Sequence, residues 1–255
     1  MKTLKRALIA SMFVAMTPFA AQAEDVEVSG DIGAYSQYVW RGVSQTAGKS
    51  AIQGDIGASM GGFSASAWFS NAYASPAPQF AGKDTVEFDW TADYSGSFDK
   101  IGYSIGGIWY TYLYDSASNF GEVYTGISYD APVSPSATIY YNVGTSKNKA
   151  YMAGDLWIDL GLSGSAAGYD LGATVSYAKW KKDAISRPIA AVNNFKDGFN
   201  LVSLSVSKDV TVGDSTLTAS ITGSAPIISK ASDGVQYIYG VAASKEVVFG
   251  VNFAY

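Results

Sequence analysis

The chain has 255 residues and a net charge of −5, with neither cysteine nor histidine. The missing cysteine rules out a disulfide framework and thiolate metal sites. The missing histidine rules out Ser-His-Asp and Cys-His catalysis and histidine-rich metal centres, so the chain is expected not to be an enzyme, and neither a cofactor nor a metal is expected.

The chain opens with a basic segment, Lys2, Lys5 and Arg6, then an apolar run from Ala7 to Ala20 and the small-x-small sequence Ala21-Gln22-Ala23. That order predicts a cleaved signal peptide over 1–23, and the run is too short for a spanning helix, which needs about 20 apolar residues. Residues 24–255 are expected to form one exported domain. Its charge falls to −8 once the three signal-peptide cations are removed, which argues against nucleic acid as a partner.

Hydrophobic residues make up 48 % of the chain, yet beyond the signal they fall at every second position instead of in long runs. Alternation of that kind is a strand with one apolar and one polar face. Strand one, read from Val26 to Val43, sets Val28, Ile32, Tyr38 and Trp40 against Glu27, Asp31, Gln37 and Arg41. Strand two opposes Ile52, Ile56 and Met60 to Gln53, Asp55 and Ser59, and Gly61-Gly62 turns it into strand three, with Phe63 and Phe69 on the apolar face. Strand four alternates Val86, Phe88, Trp90, Ala92 and Tyr94 with Glu87, Asp89, Thr91 and Asp93. Strand five, Ile101 to Tyr114, has aromatics on both faces and an ambiguous orientation. Strands six and seven are separated by Pro132-Val133-Ser134-Pro135. Strand eight carries Leu156, Ile158, Leu160 and Leu162 against Asp155 and Asp159; strand nine carries Tyr169, Leu171, Val175 and Tyr177 against Thr174 and Ser176. Strands ten and eleven meet at Gly213-Asp214. The twelfth begins near Val235, with a bulge or break at Ser244-Lys245-Glu246.

In a bilayer every backbone polar group needs an internal partner, and a closed barrel alone supplies this to strands. The predicted fold is therefore all-β, a closed antiparallel transmembrane barrel of about 12 strands (range 10–14). The longest loops, 71–83, 181–197 and 224–234, follow odd strands and the short turns follow even ones, as expected for an even barrel with both termini on one side. Phe63, Tyr94, Tyr129, Tyr169 and Tyr255 are expected to form one aromatic girdle, and Trp40, Phe69 and Tyr177 the other.

The chain ends on Val247, Phe249, Val251, Phe253 and Tyr255 at alternate positions, with Val248 the one large apolar residue between them. This ending resembles the C-terminal assembly signal of Gram-negative outer-membrane barrels, carried by Phe249, Val251, Phe253 and Tyr255. The stretch Tyr38-Val39-Trp40-Arg41-Gly42-Val43-Ser44-Gln45-Thr46 resembles the opening signature of the TorF-type porins, small proteobacterial outer-membrane barrels. Within it Tyr38, Trp40, Arg41, Gly42, Ser44 and Gln45 carry the likeness. Trp68-Phe69-Ser70-Asn71, Glu87-Phe88-Asp89 and Glu122-Val123-Tyr124-Thr125-Gly126-Ile127-Ser128-Tyr129 resemble later parts of that family. The resemblance implies a passive pore in the outer membrane, with membrane lipid, the barrel-assembly machinery and small polar solutes as partners.

The polar faces collect Asp31, Gln37, Arg41, Gln53, Asp55, Glu87, Asp89, Asp93, Asp155 and Asp159, expected to line the pore. Arg41 has two readings, a constriction residue that contacts solutes or a side chain tied to neighbouring carboxylates. Glu87 and Asp89 stand about 6.5–7 Å apart on one strand face, a spacing also seen in glycosidase acid pairs, but an acidic wall is the simpler account and favours cations. The expected function is a passive diffusion channel for small polar solutes with a cation preference. A plugged barrel with a structural or surface role and a soluble barrel holding an apolar ligand are the alternatives.

Overall fold

Twelve antiparallel strands close on themselves in chain order, with β1 hydrogen-bonded to both β2 and β12. The computed structural model describes residues 25–73, 84–144, 146, 151–181, 197–228, 237–238 and 241–255. The expected signal peptide and most of the 181–197 loop lie outside the described residues. The strands are β1 (Glu27–Tyr35), β2 (Ala51–Met60), β3 (Phe63–Tyr73), β4 (Asp84–Phe98), β5 (Ile101–Tyr112) and β6 (Phe120–Tyr129), then β7 (Val133–Asn142), β8 (Leu156–Ala166), β9 (Tyr169–Lys179), β10 (Gly198–Val212), β11 (Ser215–Pro226) and β12 (Glu246–Ala254). Helix among the described residues is confined to a single 3₁₀ turn, Ser116–Ser118.

Closure follows from the terminal pattern. Ile32 opposes Phe253 and Ala34 opposes Val251 across the β1–β12 seam, while Leu217 and Ala219 oppose the same residues from β11. Phe249, Val251, Phe253 and Tyr255 all point outward and are exposed. The exterior is apolar nearly throughout, as in Ile56, Phe63, Trp90, Ile105, Leu204 and Phe249, whereas Glu87, Asp89, Glu122, Asn200 and Asn252 are buried inside. Water would make this arrangement costly and hydrocarbon makes it favourable. A soluble barrel with an apolar ligand would carry its apolar face inward, so that alternative is overturned.

The alternation settles β5, where Trp109 is exposed outward and Tyr110 is fully buried inside. Five tight turns follow the even strands, and longer connections follow the odd ones; the two ends are called here the turn end and the loop end. At the first turn Gly61 (φ 57°) and Gly62 (φ 87°) both adopt the left-handed backbone that a two-residue hairpin requires. Phe63, Tyr94, Tyr129, Tyr169 and Tyr255 are exposed at the turn end as one girdle.

The first and last strands are shorter than their patterns suggested. β12 spans 9 residues and starts at Glu246, so the break lies at Ser244-Lys245-Glu246. β1 also spans 9 residues and stops at Tyr35 instead of Val43, because about 9–11 residues already cross a bilayer. Trp40 does not reach the outer girdle; it is buried within the barrel. At the loop end the exposed aromatics among the described residues include Trp109, Tyr114, Tyr141 and Phe199.

Candidate functional site

The segment after β1 turns back into the barrel. Val39–Trp40 and Val43–Ser44 pair as a small antiparallel hairpin separate from the main sheet. Arg41 (φ 47°) and Gly42 (φ 78°) form its tip, and positive φ at both central positions is the pattern of a type I′ turn, which suits a tight two-residue hairpin. The base is tied by backbone and side-chain bonds. Gln45 N donates to the Tyr38 carbonyl at 2.7 Å and Tyr38 N to Thr46 Oγ1 at 3.0 Å. Ser44 Oγ donates to Gln37 Oε1 at 2.9 Å, and Gln37 Nε2 donates to Glu246 Oε2 on β12 at 2.8 Å. Residues from Gln37 to Thr46 thus build and fasten one inserted element.

Its apolar side chains fill the loop half of the lumen. Trp40 meets Tyr110, Phe120 and Tyr151 edge-on at 5.8–6.1 Å. Phe120 stacks between Tyr110 (4.2 Å) and Tyr151 (3.8 Å). Tyr38 packs edge-on against Trp68 at 5.2 Å. Val248 joins the same buried cluster, which explains why one intervening position of the last strand is large and apolar. Two positions on, Gly250 leaves room for the Tyr35 ring, which a Cβ there would strike.

Arg41 is the charged centre of this packing. Its Nη1 and Nη2 donate to Glu122 Oε1 and Oε2, each at 2.8 Å, and both side chains are buried, 7 % and 4 % exposed. Its guanidinium carbon also lies 4.5 Å from the Trp40 ring centre, 5.0 Å from Tyr140 and 4.9 Å from Trp157. A planar fork against a carboxylate, with aromatic faces around it, is among the stronger arrangements for a buried cation. Tyr110 Oη adds a hydrogen bond to Glu122 Oε2 at 3.1 Å. Of the two readings of Arg41, the one tied to a neighbouring carboxylate matches this contact.

Below the hairpin lies a cavity of about 320 Å³. Asp31, Asp55, Asp89, Asp93 and Asp159 line it together with Gln37, Gln53 and Arg41. Asp31 accepts from Asn252 Nδ2 at 3.0 Å, Asp93 from Tyr124 Oη at 2.7 Å, and Asp159 from Trp157 Nε1 at 2.8 Å and Ser176 Oγ at 2.6 Å. Glu87 is 2 % exposed, accepts from Tyr112 Oη at 2.9 Å and, against expectation, is not among the residues that line the cavity. Asp155 departs from the expected set. It sits before β8 and accepts from Met152 N and Lys181 N at 3.2 and 2.8 Å, so it anchors loop backbone and does not line the cavity. Gln37 and Arg41 also depart, since they reach the lumen from the hairpin and not from the barrel wall.

Glu122 and the inward aromatics Tyr110, Tyr140 and Trp157 were absent from the expected set. The alternation of β6 places Glu122 inside, because Val123 and Ile127 face outward. The inward aromatics carry no such mark, because an inward ring is unusual where the lumen holds water.

Fold and lumen together define an outer-membrane-type β-barrel with an inserted hairpin. Over residues 20–222 the chain matches the family described as "Bacterial protein of unknown function (Gcw_chp)", and it belongs to that family. No curated protein matches it. Among solved structures it is similar to the Salmonella typhi outer membrane phospholipase dimer with bound calcium, at 10 % identity and a TM-score of 0.48, with 89 % of each chain covered. It is also similar to a chain from a study of the in-meso crystallization of membrane proteins, at 8 % identity and a TM-score of 0.46, covering 89 % of this chain and 83 % of that one. The phospholipase corrects one expectation. An enzyme appears among the solved chains similar to this one, so the statement that this protein is no enzyme is withdrawn.

Proposed function

We propose that the protein is an outer-membrane channel whose lumen is constricted by its own hairpin, and that it conducts small polar solutes with a preference for cations. The observation that carries this reading is the position of the hairpin, buried in the loop half of a barrel above a cavity in which five aspartates stand beside aromatic side chains. Twelve strands give a lumen between the side-chain-filled barrels of eight strands and the wide porins of sixteen to eighteen, so one inserted hairpin is enough to narrow it. The apolar exterior and outward-facing last strand support residence in the outer membrane. The likeness of Tyr38–Thr46 to TorF-type porins agrees with a transport role, and here it falls on the constricting element. The buried Arg41–Glu122 pair favours one second reading, a barrel that stays plugged.

The test is a salt-gradient measurement on the refolded protein in a planar bilayer. The expected reversal potential has the cation-selective sign and shrinks as salt rises, since the screening length falls from about 10 Å at 0.1 M to about 3 Å at 1 M. An anion-selective sign would overturn the acidic-wall account. Absence of any conductance from folded, inserted protein would establish the plugged reading instead.

A further inference from the structure

The cavity below the hairpin has two unlike walls. On β1, β2 and β4 it presents Asp31, Asp55, Asp89 and Asp93; on β6 to β8 it presents Tyr124, Tyr140 and Trp157, with Asp159 beside them. The single cation among its lining residues is Arg41, and that guanidinium is committed to Glu122. Carboxylates on the wall therefore outnumber the charge available to balance them.

Asp89 stands out within this wall. It is 1 % exposed, and neither carboxylate oxygen has a hydrogen-bond partner among the described residues. Its neighbours in charge are Glu87 and Glu122, two further carboxylates. A buried carboxylate with no donor is expensive for a fold to keep, and a donor-bearing cation arriving from the adjoining cavity would remove that cost. The aspartates at 31, 93 and 159 already accept from Asn252, Tyr124, Trp157 and Ser176. Asp55 shares a side-chain hydrogen bond with Ser66, so Asp89 is the acid on this wall whose two oxygens both lack a partner among the described residues.

From this geometry we infer that the cavity is a binding site for a small organic cation carrying N–H donors, a guanidinium or primary ammonium, whose head pairs with Asp89 while its body lies against the aromatic wall. The inference rests on the channel reading only in naming which solute the lumen holds. Three features select this chemistry. Two open oxygens on one carboxylate match the paired donors of a guanidinium or the several donors of an ammonium, whereas a quaternary ammonium has none to offer. Among the described residues no three carboxylates stand close enough together to hold a metal ion. About 320 Å³ is room for a small organic molecule, at the lower end of ordinary ligand sites. The same lumen already holds one guanidinium in this manner, since Arg41 sits on a carboxylate with aromatic rings around it.

The test is calorimetric titration of the full-length barrel in detergent micelles with methylguanidinium chloride, against tetramethylammonium chloride and sodium chloride at equal ionic strength. Saturable binding of methylguanidinium, at least tenfold tighter than tetramethylammonium, is expected. Asp89→Asn should weaken it at least tenfold, while Asp214→Asn at an exposed turn should leave it unchanged. Because the Asp89 side chain makes no hydrogen bond among the described residues, the Asn variant should retain the heat-modifiable mobility of a folded barrel. If that variant failed to fold, the wild-type preference between the two cations would still decide the matter. Equal response to all three salts, no saturation, or undiminished binding by a folded Asp89→Asn variant would each overturn the proposal. Binding is read without current, so a protein that binds methylguanidinium yet never conducts would refute the channel and spare the site.

Discussion

The two halves of the lumen are built on opposite principles. The turn half is a barrel of the ordinary kind, with apolar residues out and polar residues in. The loop half is inverted, since rings from β5 to β8 point inward and pack against the hairpin like the core of a soluble domain. The difference teaches that alternation along a strand reports where lipid is, whereas what faces inward depends on whether water or protein fills that level of the lumen.

The largest expected effect tests what the halves share. Removing Phe253 to Tyr255 takes residues out of the seams on both sides of β12, and the barrel should fail to assemble. A normal amount of heat-modifiable protein in the outer membrane after that deletion would refute the role given to the last strand. The next effect is confined to the loop half. Arg41→Ala leaves Glu122 buried without its cation, which should cost about 3–5 kcal/mol. The loss should be smaller in Arg41→Met/Glu122→Gln, because neither partner is then a stranded charge. Denaturation midpoints of the two variants would measure it, and equal losses would mean that the pair is not buried.

Strand β4 separates lipid from lumen within one residue. Trp90 is 52 % exposed on the outer face, and Thr91 lines the cavity. Trp90→Arg near mid-membrane should cost about 2–4 kcal/mol, whereas Thr91→Arg, among aspartates, should be tolerated much better in the same refolding assay. Equal damage would mean that β4 is buried on both faces. The smallest effect is at the hairpin tip, where Gly42→Ala forces a Cβ into left-handed backbone at φ 78°. The cost should be about 1–2 kcal/mol, visible as a lower midpoint with assembly intact.

Much of the barrel was legible because lipid imposes a rule on every second residue. Strands β2, β4 and β9 show it plainly, and the alternation of long loops and tight turns gave the parity. β1 misled because Tyr38 and Trp40 continue the alternation of Val28 and Ile32 past the membrane boundary, although they serve a different interior. The sign that the strand had ended was Arg41-Gly42, two residues whose positive φ no strand accommodates. Of the site, the acids on β1, β2, β4 and β8 were readable as an inner wall. Glu122 was within reach of the same rule. The partnership of Arg41 with Glu122 was not, because it joins residues 81 positions apart through a fold-back that periodicity does not register.

The central claim is that the hairpin constricts the lumen, and the chain offers a direct way to test it. Tyr35 and Ala51 oppose each other across β1 and β2, so residues 36–50 can be replaced by a short Asn-Gly-type turn without moving either strand. Single-channel conductance of this variant should be large and steady, severalfold above that of the intact protein, with the cation-selective sign kept by the remaining aspartates. A folded variant whose conductance equals that of the intact protein would contradict the claim.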